Sequence, residues 1–129
     1  LETAERLGVR SCLKLFGFVS EDKKFELMSR AHLLIVPSFK EGWGLTVPEA
    51  GYVGTPAVGD DVEGLRDVII QGKTGLLSRP TPAAMSHEIV SLLHDKSLYK
   101  KIQAGARRLA DSYSWDKTAE AALSVLQNA

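Results

Sequence analysis

Residues 33–36 form an unbroken apolar run, Leu33-Leu34-Ile35-Val36, closed by Pro37 and Ser38. A short run without polar alternation predicts a strand covered on both faces, as in parallel sheets. Shorter candidates follow at 56–59 and 75–78. Residues 12–19 are also rich in apolar side chains and read as a strand. Patterns of helical period separate these runs. Parallel neighbours require crossovers, which helices supply, so the expected class is α/β: a Rossmann-like three-layer sandwich with a mainly parallel sheet.

The helices announce their starts and faces. Residues 1–8 read as a helix end, with Leu7 on the apolar side and Gly8 as the stop. Ser20 is placed to cap a helix with Phe25, Leu27, Met28 and Ala31 on one face. Gly42 and Gly44 mark a loop, followed by a helix over 45–53 that ends at Gly54-Thr55-Pro56. A polar loop is expected over 60–64, then a short helix or turn over 65–70. Thr81 followed by Pro82 predicts a capped start with proline at the first position. That helix carries Ile89, Leu92 and Leu93 inward. Ser97 is the candidate cap of the next, with Leu98, Ile102, Gly105 or Ala106, and Leu109 on one face. Ser114 is the candidate cap of the last, with Ala119, Ala122, Leu123 and Leu126 inward.

Composition excludes several classes. The chain has 129 residues, one domain's worth, with 16 basic and 16 acidic residues and a formal net charge of zero. No basic excess drives nucleic-acid binding over the surface. The same balance gives no support to a membrane-surface role for Lys23, Lys24, Lys100, Lys101, Arg107 and Arg108, read as solvated helix faces. The single cysteine, Cys12, allows no internal disulfide and fits a reducing compartment. No apolar run is long enough to span a bilayer. The first residues read as the middle of a helix, so the chain is expected to be a fragment.

The chemistry-bearing segment is 37–50, Pro-Ser-Phe-Lys-Glu-Gly-Trp-Gly-Leu-Thr-Val-Pro-Glu-Ala. It sets a glycine loop after a buried strand and before a helix. Ligands of parallel α/β sheets gather at the carboxyl ends of the strands. A helix starting near Leu45 aims unpaired N–H groups and a partial positive charge at the loop, which suits phosphate. Pro48 fits the first turn, where a missing N–H is harmless. Glu41 and Glu49 bracket this start, and carboxylates accept hydrogen bonds from sugar hydroxyls. From spacing alone the two acids also fit solvated or capping residues, or a glycosidase pair.

Other candidates carry less. His87 and His94 share a helix face but have no third ligand, so surface positions are expected. Asp60 and Asp61 are adjacent, their side chains diverge, and no metal site is expected there. His32 is expected at a strand edge. Trp115 reads as a packing anchor, with ligand stacking as the other reading, and Trp43 faces the presumed site from its loop.

This segment resembles the retaining glycosyltransferases of the two-domain GT-B fold, with their glutamate, seven residues, then glutamate. The residues are Pro37-Ser38, Glu41-Gly42-Trp43-Gly44-Leu45 and Glu49-Ala50. The neighbours match in order: Phe16-Gly17-Phe18-Val19, Gly54-Thr55-Pro56, Gly72-Lys73-Thr74-Gly75-Leu76-Leu77 and Tyr113-Ser114-Trp115. Departures are Gly51-Tyr52-Val53 after Glu49-Ala50, His32 where aspartate is common, and Asp67 where glutamate is usual. Gly51 weakens a helix interior by about 1 kcal/mol relative to alanine.

The resemblance implies that residues 1–129 are part of a C-terminal domain binding a nucleoside-diphosphate sugar of the UDP or GDP type. It implies that Glu41, as the catalytic residue, contacts donor-sugar hydroxyls. Gly42, Gly44, Leu45 and Thr46 would hold the sugar and diphosphate, Glu49 the ribose, with Phe18 and Val19 beside the nucleobase. It implies no cofactor and no metal. The N-terminal acceptor-binding domain and a basic pair that clamps the diphosphate would lie outside the chain, leaving it inactive alone. A cytoplasmic place is expected, with the inner membrane face open to the full-length protein. Competing functions are a non-catalytic nucleotide-sugar-binding module and a GT-B nucleotide-sugar epimerase; Glu41-Gly42-Trp43-Gly44-Leu45 favours the transferase.

Overall fold

The computed structural model describes residues 1–128. Strands β1 (Leu34–Val36), β2 (Ala57–Asp60) and β3 (Gly75–Ser78) lie in that order in one parallel sheet. Leu34 pairs with Ala57, and Ala57 with Gly75. Helix α3 (Thr46–Tyr52) joins β1 to β2, and α4 (Leu65–Val68) joins β2 to β3, the crossovers that parallel pairing demands.

The side chains of β2 alternate between two cores. Ala57 belongs to one, with Val47, Leu65, Val68 and Ile69 from the α3 and α4 side. Val58 belongs to the other, with Leu76, Met85, Leu92 and Ile102. The last three come from α5 (Pro82–His94) and α6 (Lys96–Ser112). Helices thus cover both faces, and the expected α/β sandwich forms. Leu92 has no solvent exposure. Leu92→Ala is expected to destabilise the chain by about 2–5 kcal/mol, read from urea unfolding.

Ser20 caps α2 (Glu21–Arg30), Thr81 caps α5, and Ser114 caps α7 (Trp115–Gln127), each accepting from a backbone N–H three residues on. Asp95, not Ser97, caps α6. Its carboxylate accepts from Ser97 N and Leu98 N at 3.0 and 2.9 Å, satisfying two helix-start donors where a hydroxyl in Ser97's place would lie inside the helix.

Other expectations are corrected. Residues 12–19 are not a strand. A 3-10 turn at Arg10–Cys12 is followed by extended chain, and no described strand pairs with it in a ladder. Leu7, which follows the short helix α1 (Glu2–Arg6), and Leu93 are exposed, while Ala4 and Met85 turn inward. No residue of α7 is buried, and Leu123 and Leu126 face outward. Asp60 is the last residue of β2 and buried, 3.4 Å from Ser78 Oγ, whereas Asp61 is exposed and paired with Arg66. The predicted loop therefore begins one residue later. Gly51 has a packing reason: a Cβ there would sit 2.9 Å from the Ala106 carbonyl oxygen, so glycine lets α3 lie against α6. Among the described residues no helix is long and apolar enough to cross a membrane.

Candidate functional site

The loop after β1 leaves from the carboxyl end of the sheet, where the sequence placed it. Two glycines fix its shape. Gly44 has φ 70°, and a Cβ there would lie 2.7 Å from Leu65 Cδ2. Gly64, at the start of α4, has φ 83° and ψ −47°. A Cβ on Gly64 would strike the Glu41 carbonyl oxygen and lie 2.8 Å from that of Gly42. The loop is thus clamped against α4 by backbone contact on one side and by Leu65 on the other. Sequence reasoning missed Gly64; its only signal was a glycine directly before a helix.

The start of α3 is open. Val47 N donates to Gly44 O at 2.9 Å and Glu49 N to Leu45 O at 3.2 Å. Pro48, the third helical residue, has no N–H to satisfy. Among the described residues, the N–H groups of Gly44, Leu45 and Thr46 have no partner. No side chain caps this helix, whereas α2, α5, α6 and α7 all have side-chain caps. Leu45, at 60% exposed, and Thr46 face solvent, whereas Gly44 is buried. Three free donors and the positive end of α3 form a place for anionic or hydroxyl oxygens.

The two carboxylates engage different neighbours. Glu41 accepts from Ser38 Oγ at 3.4 Å and from Gly42 N at 3.2 Å. Glu49, 18% exposed at its side chain, accepts from Lys24 Nζ at 3.0 Å. Lys24 Nζ also lies 2.9 Å from Glu21 Oε2. These carboxylates hold the Lys24 ammonium above the ordinary lysine range, Glu21 contributing most and Glu49 next. Lys24 is therefore not part of a merely solvated face. Nor is Arg107, which donates to the Tyr52 carbonyl, pairs with Asp111 at 3.0 Å and stacks over the Tyr52 ring.

Glu49 lines a groove of about 730 Å³ between α3 and the α6–α7 junction, with Leu45, Pro48, Tyr52, Trp43 and Trp115 among its walls. Glu41 lies outside it. Trp43 packs edge-on against Tyr113, with ring centroids 5.1 Å apart. Burial, then Asp67, raises the Tyr113 phenol. Trp115 is 89% exposed and is a groove wall, not the expected packing anchor. Phe18 is fully exposed and Val19 half-buried, in the turn that leads into Ser20 and the first turn of α2, which ends at Lys24. His87 and His94 are both exposed on α5, and no cluster of three or more metal-ligating side chains occurs among the described residues.

The family model described as glycosyl transferases group 1 matches residues 2–109. The chain belongs to this family. It is 32% identical over 127 residues to a D-inositol 3-phosphate glycosyltransferase of Streptomyces bingchenggensis, covering 98% of this chain and 28% of that protein. The fold superposes on sucrose-phosphate synthase from Thermosynechococcus elongatus with a TM-score of 0.89 and 24% identity, covering 98% of this chain and 32% of that one. It also superposes on Anabaena HepE, crystallised with UDP and glucose, with a TM-score of 0.85 and 20% identity over 99% of this chain and 35% of HepE. The group 1 chain described here therefore has a GT-B-type α/β fold and spans about a third of the length of these relatives.

Proposed function

We propose that this chain is the donor-binding part of a retaining glycosyltransferase, and that the full-length protein moves a sugar from a nucleoside diphosphate to an acceptor hydroxyl. The observation that carries the reading is the exposed, uncapped start of α3, with free N–H groups on Gly44, Leu45 and Thr46 between Glu41 and Glu49. Family membership and the UDP seen in HepE support it.

In this reading the diphosphate sits at the N-terminus of α3 near Gly42, Gly44, Leu45 and Thr46. Glu49 accepts hydrogen bonds from the ribose, Phe18 and Val19 flank the base, and Glu41 holds sugar hydroxyls. The bond between the anomeric carbon and phosphate oxygen breaks, positive charge grows on the ring, and negative charge passes to the leaving diphosphate. Fixed N–H donors aimed at that charge lower the barrier. The chemistry needs neither metal nor cofactor. Acceptor binding and the remaining cationic groups come from sequence outside these residues, so the isolated chain binds donor without turnover. The donor is of the UDP or GDP type.

Titrating the isotopically labelled chain with UDP and with GDP tests this. Saturable shifts of the Gly44, Leu45 and Thr46 amide signals are expected with at least one of them. Shifts confined to other elements, or none at millimolar nucleotide, would remove the reading.

A further inference from the structure

We propose that Lys24 is a positioning residue for the ribose-binding carboxylate: it pins Glu49 and thereby sets how strongly the site distinguishes ribose from 2′-deoxyribose. The inference rests on the reading of Glu49 given above. Lys24 comes from α2 and Glu49 from α3, 25 residues apart in the chain, and their side chains are 26% and 18% exposed. The bond between them, 3.0 Å long, goes to Oε1 alone. Among the described residues no donor reaches Oε2. One oxygen is therefore held by an ammonium, and the other is left to accept.

A carboxylate on a three-torsion side chain has many rotamers, and a hydroxyl partner must otherwise order it on binding. A cation fixed on one oxygen removes that freedom in advance. The ammonium is fixed in turn: Glu21 Oε2 lies 2.9 Å away on its own helix. The chain Glu21–Lys24–Glu49 ties the ribose carboxylate to α2, the element that follows the turn at Phe18 and Val19. Lys24 touches no reacting atom in this arrangement; it acts through Glu49.

The test measures Kd for UDP, GDP and their 2′-deoxy forms on the full chain by calorimetry, and takes the deoxy-to-ribo ratio for whichever base binds. A charged acceptor on a ribose hydroxyl predicts a wild-type ratio of about tenfold or more. Lys24→Met keeps the apolar stem and is expected to shrink the ratio to about two- or threefold, by weakening the ribonucleotide more than the deoxynucleotide. Lys24→Arg is expected to restore most of it. Glu21→Gln, which weakens one anchor of the ammonium but leaves Lys24 on Glu49, should contract the ratio less than Lys24→Met does.

A structural role for Lys24 would weaken both sugars equally and leave the ratio unchanged, which overturns the proposal. So does a contraction in Glu21→Gln as large as or larger than that in Lys24→Met. Glu49→Gln separates the two levels. If it abolishes the ratio while Lys24→Met preserves it, Glu49 reads the ribose and only the role of Lys24 fails. If it leaves the ratio intact, or if no nucleotide binds, the ribose assignment fails and the inference falls with it.

Discussion

Glu41→Gln in the full-length protein is expected to reduce turnover by about 10²–10³-fold while changing stability by no more than about 0.5 kcal/mol. The asymmetry follows from its surroundings. Glu41 is in no ion pair among the described residues, and its two bonds are local, to Ser38 Oγ at 3.4 Å and Gly42 N at 3.2 Å. The two bonds use different oxygens, so glutamine keeps an acceptor for Gly42 N through its amide oxygen, while its amide N–H can donate to the Ser38 hydroxyl. What it removes is a negative charge beside the proposed sugar position. That charge matters little to the neutral ground state and more as the ring becomes cationic, so kcat should fall further than KM rises. Glu49→Gln should show the opposite split, because ribose contacts do not change as the glycosidic bond breaks. Steady-state kinetics with a nucleotide sugar and acceptor decide this, with urea unfolding as the stability control. Turnover at the wild-type level in Glu41→Gln would end its catalytic assignment.

What was legible in the sequence was what local pattern determines. The apolar runs of β2 and β3 are buried or half-buried stretches flanked by turn residues, and three hydroxyl caps set three helix starts; β1 forms as expected but is not covered on both faces, since its Ile35 is 46% exposed. The open donors at Leu45 and Thr46 followed from glycines ahead of a helix that has no capping side chain. The failures share one cause. A strand exists only with a partner, and the apolar content of residues 12–19 says nothing about whether one is alongside. The apolar stripe of α7 predicts a buried face, but burial needs a surface to receive it, and the described residues offer none. Lys24 looked like any surface lysine because its role depends on a carboxylate 25 residues later. Gly64 was unreadable for the same reason: its neighbours in space are Glu41 and Gly42.

Gly64→Ala is expected to lower stability by about 3 kcal/mol or more and to weaken UDP or GDP binding at least tenfold. Two effects combine. At φ 83° and ψ −47° the backbone sits near the strained γ-turn region, outside the left-handed helical basin that some L-residues tolerate. The added methyl would also strike the Glu41 carbonyl and approach that of Gly42 to 2.8 Å. Backbone does not rotate away as a side chain end does, so either α4 or the 41–44 loop must move. Moving α4 pulls Leu65 from the core it shares with Val68 and Ile69. Moving the loop carries the Gly44, Leu45 and Thr46 donors with it. Gly72→Ala isolates the second effect. Gly72 has φ 67° with nothing within 4 Å of an added Cβ, so its penalty should be the dihedral one alone, about 1–2 kcal/mol. Nucleotide affinity in Gly72→Ala should match wild type. Equal losses of stability and binding in the two variants would mean that the contact between the start of α4 and the donor loop does not hold the site in shape.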